Sequence, residues 1–315
     1  MILDRPILIA GLGSIGRRHL RNLQALGYKN FVLFRTGKAT LPDKEIAGIP
    51  TEYNLEKALA HKPIATIISN PTALHMPIAL AAAKSGSHLF IEKPISHNLD
   101  GVEELQKLVR KKNLIAQVGF QFRFHPELIK IKRRFDKNEF GKIVNVQAHW
   151  GEYLPDWHPW ENYKKTYAAR KDLGGGVLLT LCHPFDYLSY LFGKVESVLC
   201  EKINNDKLKI DVEDTADVLL NFKSGIIGNV HLDYIQRPPE HYIRIIGKNG
   251  IIHLNFLKSK LERNEMFVSE IKHFMSCIKE EKQPICTLDD GIRTLQIVLA
   301  AKESIRRKKI IKLKK

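Results

Sequence analysis

The chain has 315 residues, 44% of them hydrophobic and 27% charged, and its formal net charge is +16. This composition is that of an ordinary globular protein and excludes the disordered, collagen-like and disulfide-rich classes. At about 100 to 200 residues per domain, the length predicts two domains. The sequence has no apolar stretch long enough for a membrane span, no signal-peptide pattern and no C-x-x-C pair among its four cysteines. We therefore expect a cytoplasmic protein with no membrane partner.

The positive charge is concentrated at the C-terminus, where the last ten residues are mostly Lys or Arg and include no acid. Elsewhere the basic residues are mixed with acidic ones, without the aromatic-interleaved stripe of a nucleic-acid interface. We expect no specific nucleic-acid partner, although an anionic surface bound by this tail stays an alternative. Anionic small ligands are compatible with the charge.

A dinucleotide site is predicted at the N-terminus. Residues 7–10 form a short apolar run typical of a buried parallel strand, and Gly11-Leu12-Gly13-Ser14-Ile15-Gly16 follows at once. A helical apolar pattern comes next and ends at Gly27, before a second apolar run at 31–34. A G-x-G-x-x-G between a strand and a helix binds the pyrophosphate at the helix N-terminus. The expected cofactor contacts in this segment are Gly11, Gly13, Ser14, Ile15 and Gly16.

The residues after the second strand predict which nicotinamide cofactor is preferred. An NAD site usually has Asp or Glu there, about 20 residues after the glycines, to bind the ribose hydroxyl. This chain has Arg35-Thr36-Gly37-Lys38 instead. Because a cation and a hydroxyl suit a 2′-phosphate, we expect NADP(H) to be preferred, with NAD(H) as the alternative. Arg35 as a plain loop residue is the competing interpretation.

Strand and helix patterns continue to alternate up to about residue 118, which predicts a parallel, doubly wound sheet in an α/β fold. Ligands of such sheets bind at the carboxyl ends of the strands. Two loops fall at these ends: Ser69-Asn70-Pro71 after the third strand, and Glu92-Lys93-Pro94 after the fourth. We expect both loops to contact the cofactor.

Several ordered segments together carry a resemblance to a known family. They are Gly11 to His19, Asn70-Pro71 with His75, Glu92-Lys93-Pro94, Gly119 to Pro126, Gly174-Gly175-Gly176 with His183-Pro184-Phe185-Asp186, and Leu288 to Ser304. In order and spacing they resemble the glucose-fructose oxidoreductase, inositol dehydrogenase and rhizopine-catabolism family, Gfo/Idh/MocA. The resemblance covers nearly the whole chain.

The resemblance implies a Rossmann domain at 1–120 and an α/β domain with an open, mostly antiparallel sheet at 121–315. The last helix, about 288–306, is expected to pack back on the first domain. The resemblance further implies an NAD(P)-dependent oxidoreductase acting on CH-OH of a sugar-like substrate. It also implies a homodimer or homotetramer formed through the C-terminal sheet, and it adds His75 to the cofactor site.

Moving hydride from a carbinol carbon requires a side chain that takes the hydroxyl proton, and histidine is the usual choice. By resemblance, His183 is the catalytic histidine, and Asp186 shares a helix face with it and is expected to fix its tautomer. Lys93 is the catalytic or substrate-orienting lysine, since a cation at a strand end stabilises a developing alkoxide. A structural histidine and an exposed turn lysine are the competing interpretations.

One departure from the family pattern affects the proton path. Many members have Asp four residues before the histidine, where this chain has Leu179. Thr180 is expected to substitute as a hydrogen-bonding group, although it cannot act as a base at neutral pH. The missing carboxylate keeps open the alternative of an NADP(H)-binding regulator without turnover.

The segment 151–173 is long, polar and aromatic, which favours a binding role over disorder. The expected substrate contacts are Lys93, Gln121, Arg123, Trp157, Tyr163, Tyr167, Arg170 and His183. An interface or packing loop is the competing interpretation. The segment also resembles that of family members from bacterial surface-glycan gene clusters, which implies an activated sugar as substrate. His149, Glu152 and His158 match no familiar ligand spacing, so we expect no metal site.

Overall fold

The computed structural model describes residues 5–37, 43–203 and 207–313. The chain divides into two units, the first formed by Met1–Gln121 with Glu262–Ile292 and the second by Phe122–Leu261 with Arg293–Lys315. Lys38 lies outside the described residues. No helix in the described ranges is long and apolar enough to cross a bilayer.

Two sheets account for the strands of the described residues. The strands, in chain order, are β1 (Ile7–Ala10), β2 (Phe31–Phe34), β3 (Thr51–Glu52), β4 (Ala65–Ile68), β5 (His88–Glu92), β6 (Ala116–Gly119), β7 (Ile143–Gly151), β8 (Val195–Ile203), β9 (Thr215–Phe222), β10 (Ile227–Asp233), β11 (Glu240–Gly247), β12 (Gly250–Asn255) and β13 (Ile311–Lys312).

The α-helices of the described ranges lie between and after these strands. In chain order they are α1 (Ser14–Ala25), α2 (Leu55–Ala60), α3 (His75–Lys84), α4 (Val102–Lys111), α5 (Pro126–Asp136), α6 (Val177–Thr180), α7 (His183–Phe192), α8 (Arg263–Glu280) and α9 (Leu288–Arg307).

The first sheet has the strand order β3-β2-β1-β4-β5-β6, and all its pairs are parallel. This is the strand order of a dinucleotide-binding sheet. Successive strands are added on one side of β1 up to β3 and on the other side from β4 onward. The central strands are buried on both faces, which explains their uninterrupted apolar sequences. The predicted parallel, doubly wound sheet is confirmed.

Helix α8 belongs to the first unit, which differs from the predicted domain division at 120/121. Ile271, Phe274 and Ile278 of this helix are 0 to 3% exposed and join one hydrophobic cluster with residues of β1, α1 and β2. The sequence prediction assigned 262–292 to the second domain because it followed the chain in order. Burial of the apolar face of α8 against the first sheet's core instead returns this segment to the first unit.

The second sheet has the order β12-β11-β7-β10-β9-β8-β13. Its pairs are antiparallel except for β7 with β10, so the predicted open, mostly antiparallel sheet is confirmed. Along β10, Val230 and Leu232 are buried while His231 between them is half-buried. One face of the sheet therefore packs on its own unit's core, and the other carries the polar residues.

Candidate active site

The glycine loop after β1 is packed tightly at two positions and open at the third. Gly11 has φ +93°, and a Cβ there would lie 2.7 Å from the backbone nitrogen of Asn70. A Cβ on Gly16 would lie 1.9 Å from the carbonyl oxygen of Gly11, so only glycine lets α1 approach β1 this closely. A Cβ on Gly13 would meet nothing within 4 Å. The backbone is therefore open at the position where a pyrophosphate would approach.

The N-terminus of α1 is prepared for an anion. Gly13 is its N-cap and offers no side-chain hydrogen bond, and the first turn contains no acidic residue. The first N–H groups of a helix have no partner within the helix, and the macrodipole there favours negative charge. These features fit the pyrophosphate of a dinucleotide.

Ser69 fastens the loop after β4 to the glycine loop. Its hydroxyl lies 3.0 Å from the carbonyl oxygen of Ala10 and 2.9 Å from that of Gly11. The predicted cofactor residue Ser69 therefore supports the shape of the glycine loop, and its hydroxyl is already bonded to backbone.

At the end of β2, the side chain of Arg35 is buried and its Nη1 lies 2.6 Å from Asp43 Oδ1. Arg17 lies near the same carboxylate, with Nη2 3.5 Å from Asp43 Oδ1, and also near Glu45. The sequence predicts a cation at this position but not its ion pair with Asp43, which lies eight residues later in the chain. Arg17 is a further cation of this group and was not identified from the sequence as a site residue.

His75 joins the two loops that follow β4 and β5. Its Nδ1 lies 2.9 Å from the carbonyl oxygen of Pro94, and its Nε2 lies 2.8 Å from that of Asn70. The ring is 1% exposed, and burial lowers the pKa of His75. The neutral ring carries one N–H and therefore donates to only one of these two carbonyl oxygens. The expected contact of His75 with the cofactor stays a prediction. His75 is a positioning residue for the loops.

Glu92 is likewise buried and bonded within the protein. Its Oε1 lies 2.7 Å from His19 Nε2, and its Oε2 accepts the backbone N–H of Lys93 at 3.3 Å. His19 is fully buried on α1, with its ring edge-on to Phe90 at 4.9 Å between centroids. The histidine of the glycine segment therefore anchors the residue before Lys93, a function that its place in the sequence did not reveal.

Lys93 is half-buried just beyond the carboxyl end of β5, and the peptide bond to Pro94 is cis. The parallel sheet places it at the edge where ligands of such sheets bind. The expected position of Lys93 at a strand end is thus what the structure has.

In the second unit, His183 is the first residue of α7, and Pro184 follows it in the first turn, where proline is tolerated. Its ring is 1% exposed, with its centroid 5.4 Å from that of Trp150 and 4.9 Å from that of Phe122. These aromatic rings restrict the orientation of the imidazole.

The structure pairs Arg123 with Asp186. Its Nε lies 3.0 Å from Asp186 Oδ2 and its Nη2 lies 2.7 Å from Asp186 Oδ1, with both side chains at most 3% exposed. A guanidinium and a carboxylate held in this way form a buried structural pair. The expected contact of Arg123 with the substrate stays a prediction. The expected role of Asp186 in fixing the tautomer of His183 stays a prediction.

Thr180 lies in a buried polar group beside the glycine run. Its hydroxyl donates to the carbonyl oxygen of Gly176 at 2.7 Å and also bonds the hydroxyl of Tyr234. Burial raises the pKa of Tyr234 well above its ordinary value, so this phenol stays protonated. Gly176 has φ +100°, and a Cβ there would lie 2.3 Å from the carboxylate of Glu213. The sequence reasoning found neither Tyr234 nor Glu213, which follow far along the chain.

The predicted binding residues of 151–173 lie in or next to a series of short 3-10 segments. Tyr163 donates its hydroxyl to the carbonyl oxygen of Leu208 at 3.0 Å, Trp157 packs edge-on against Tyr234, and exposed Arg170 pairs with Asp172. Each therefore has a partner within its own unit. Their role toward substrate, like those of Tyr167 and the buried Gln121, stays a prediction.

Comparison with known proteins places this geometry in a family. Residues 5–120 match the oxidoreductase family with an NAD-binding Rossmann fold, and residues 128–253 match the GFO/IDH/MocA C-terminal domain. The chain belongs to the Gfo/Idh/MocA oxidoreductase family. The resemblance read from the sequence motifs is thereby confirmed.

Relatives in this family match over nearly full length. The myo-inositol 2-dehydrogenase of Thermotoga maritima is 27% identical, covering 97% of each chain. The NAD(+)-dependent scyllo-inositol 2-dehydrogenase of Bacillus subtilis is 28% identical, covering 95% of this chain and 93% of the relative. The WlbA dehydrogenase of Bordetella pertussis, solved with NADH and UDP-GlcNAcA, has the same fold with a TM-score of 0.85, 20% identity and 99% coverage of both chains.

Membership of Gfo/Idh/MocA agrees with the residue geometry. The family is one of NAD-binding oxidoreductases, and the open glycine loop and the uncapped start of α1 supply the expected cradle for the cofactor. The predicted enzyme class, a nicotinamide-dependent oxidoreductase, is confirmed.

Proposed function

We propose that this chain is a dehydrogenase that interconverts a CH-OH group and a carbonyl group on a cyclic polyol or sugar. The observation that carries the proposal is the position of Lys93, at the carboxyl end of a parallel strand in an NAD-binding sheet, with its backbone held through Glu92 and His19. The inositol dehydrogenases among the relatives support a ring bearing several hydroxyls as substrate.

A bound nicotinamide would supply the hydride acceptor for oxidation of the carbinol carbon and the hydride donor for the reverse reaction. Gly13 and the start of α1 would hold the pyrophosphate, and the loop of Asn70 would border the nicotinamide half. Lys93 donates a hydrogen bond to the substrate oxygen and stabilises the negative charge that develops there. His183 takes the hydroxyl proton during oxidation and returns it during reduction.

We propose a preference for NADP(H) over NAD(H), supported by the charges at the end of β2. The formal charge of the group at this end of β2 is +1, from Arg17, Arg21, Arg35, Asp43 and Glu45. The side chain of Asp43 is 63% exposed. Because the Asp43 side chain is largely exposed, we expect a 2′-phosphate to displace it from the guanidinium of Arg35. The hydroxyl of Thr36 gives the phosphate a second donor.

We further propose that the sugar is an activated one, nucleotide-linked or phosphorylated, with a role in surface-glycan biosynthesis. Support comes from the aromatic and cationic residues of the segment 151–173, which suit a sugar ring and an anionic group. The UDP-GlcNAcA complex of a protein with the same fold is consistent with this substrate class.

We also propose a homodimer or homotetramer that buries the outward face of the second sheet. Ile227 and Ile251 on strands of this sheet are 45% and 60% exposed. Exposed apolar residues on a broad sheet face favour association. Light scattering on the full chain would give a mass above that of a monomer, and a monomer mass would contradict this part of the proposal.

The experiment is a nicotinamide absorbance assay of the full chain with NAD and NADP and a panel of inositols, free sugars, sugar phosphates and nucleotide sugars. We expect turnover on one class, with Lys93→Ala losing it while retaining cofactor binding. Cofactor binding with no turnover on any substrate class of the panel would contradict the dehydrogenase assignment. It would favour the alternative of an NADP(H)-binding regulator without turnover. Turnover on free inositols alone would contradict only the activated sugar.

A further inference from the structure

A cluster of potential metal ligands lies on the second sheet, separate from the residues assigned to catalysis. His149 of β7 and His231 of β10 are register partners, and Asp233 stands two residues further along β10. One ligand atom from each of these three residues lies within 4.8 Å of the other two. We propose that His149, His231 and Asp233 bind a divalent transition-metal ion such as Zn²⁺.

The carboxylate of Asp233 is already oriented for this role. Its Oδ1 accepts the backbone N–H groups of Ile235 at 2.9 Å and Gln236 at 2.7 Å. Its Oδ2 lies 3.2 Å from His231 Nε2. Because the first oxygen is held by backbone and the residue is 3% exposed, the second oxygen points at the cluster without further ordering.

His231 has the outer partner that metal-binding histidines usually have. Its Nδ1 lies 2.8 Å from Asp217 Oδ1, on the neighbouring strand β9. A carboxylate bonded to Nδ1 orients the imidazole so that Nε2 is the ring atom presented to a metal. That Nε2 is the atom that faces Asp233.

The cluster depends on a residue without a side chain. Gly151 is the register partner of Asp233, and a Cβ on it would lie 2.3 Å from Asp233 Oδ2 and 2.1 Å from Gln236 Oε1. Gln236 Oε1 also lies 2.7 Å from His149 Nε2. Glycine at this position therefore leaves room for both the carboxylate and the amide, and the amide orients His149.

The donor set and its spacing suit zinc. Two imidazole nitrogens and a carboxylate oxygen, with an amide oxygen or water as fourth ligand, are a common set for Zn²⁺. Zinc bonds of about 2.1 Å place tetrahedral ligands about 3.4 Å apart. The donors must therefore approach one another by at most about 1.4 Å from their separation of up to 4.8 Å. Rotation of the two half-buried histidine rings is the movement that this approach requires.

This set is different from the one weighed in the sequence. His149, Glu152 and His158 gave no ligand spacing, whereas His231 and Asp233 lie more than eighty residues after His149 and reach it only through the pairing of β7 with β10. An ion here would join these two strands, which are the parallel pair of an otherwise antiparallel sheet.

The test is zinc binding by the full chain without an affinity tag, by calorimetry and by competition with a chromogenic chelator. We expect one Zn²⁺ per chain, with an affinity at least about tenfold lower in His149→Ala and His231→Ala, and lower by about tenfold or more in Asp217→Asn. His253→Ala is the matched control, because His253 is an exposed histidine on strand β12 of the same sheet, and its affinity should equal that of the wild type.

Two results would overturn the proposal: no zinc binding by the wild-type chain, or binding that all three variants retain, which would be an adventitious ion only. Circular dichroism and thermal unfolding without metal check that each variant is folded. A rise in the wild-type melting temperature with zinc, absent in His149→Ala, is expected by linkage. None of these readouts requires turnover, so the proposal stands apart from the dehydrogenase assignment.

Discussion

Arg123 and Asp186 form a two-bond ion pair inside the second unit, 2.7 Å from Nη2 to Oδ1 and 3.0 Å from Nε to Oδ2. The guanidinium also lies over the ring of Tyr190, 4.8 Å from its centroid. The pair connects the segment before α5 to the first turn of α7, where Asp186 lies three residues after His183. The first turn of α7, which begins at His183, is thus held by a charge 63 residues earlier in the sequence.

Removing one partner of this pair should destabilise the protein strongly. Arg123→Ala leaves the Asp186 carboxylate buried without its cation, and we expect the free energy of unfolding to fall by about 3 to 5 kcal/mol. Urea unfolding measures this. The control is Lys130→Ala, which breaks an exposed pair with Glu127 and should cost less than about 1 kcal/mol. An Arg123→Ala protein as stable as the control would contradict the structural role.

Replacement by alanine should lower the stability of the protein at one glycine of the cofactor loop and leave it nearly unchanged at another. Gly16→Ala places a methyl group against the carbonyl oxygen of Gly11, so we expect a loss of stability of at least about 2 kcal/mol. The methyl group of Gly13→Ala would have no atom within 4 Å, so the free energy of unfolding of this variant should lie within about 1 kcal/mol of the wild-type value.

The binding of NADH separates the two effects. Gly13→Ala should weaken it, because the methyl group occupies the space in front of the N-terminus of α1, while the melting temperature is retained. If Gly13→Ala bound the cofactor as tightly as wild type, the assigned approach of the pyrophosphate would be wrong.

The cap of α5 should make stability depend on pH. His125 Nδ1 accepts the N–H of Glu127 at 3.2 Å, which only an unprotonated nitrogen can do, and burial lowers the pKa of His125 below 6.5. The folded state therefore prefers the neutral ring. This contribution is present above pH 6.5, the unfolded value, and is lost as the pH falls through the lower folded pKa.

His125→Asn tests this cap, since asparagine caps helices without titrating in this range. We expect the stability of the wild type relative to His125→Asn to decrease as the pH falls below about 6.5. Chemical unfolding at several pH values measures the difference. A difference that stays constant with pH would contradict the capping role.

The preference for NADP(H) over NAD(H) should depend on Arg35 and not on Arg21. Arg35→Ala should lower NADPH affinity by about tenfold or more and leave NADH affinity nearly unchanged, because a charge-assisted bond to phosphate is worth about 1.5 to 3 kcal/mol. Arg21→Ala, which removes an exposed cation paired with Glu45, is the control. Fluorescence titration of both cofactors measures this, and equal losses for NADH and NADPH would refute the proposed phosphate contact.

The sequence predicted those features of the fold that depend on local patterns. The apolar run before Gly11, the glycine spacing and the position of Lys93 at a strand end follow from short-range periodicity, and the structure has all three.

The features that the sequence missed depend on contacts between distant segments. The partner of Arg123 was out of reach because Asp186 lies 63 residues later. The sequence prediction also placed α8 in the second domain, because nothing local shows that a helix at 263–280 returns to strands near residue 10. The cluster of His149 with His231 likewise needed the register of two strands.

The most direct test of the central assignment is turnover by a double variant, Lys93→Met with His183→Asn, on the substrate identified by the panel. We expect nicotinamide reduction to fall by at least about a thousandfold, since an electrostatic contact and a proton acceptor are each worth about a hundredfold or more. Cofactor affinity and melting temperature should remain near those of the wild type. Turnover close to the wild-type rate in the folded double variant would contradict the account.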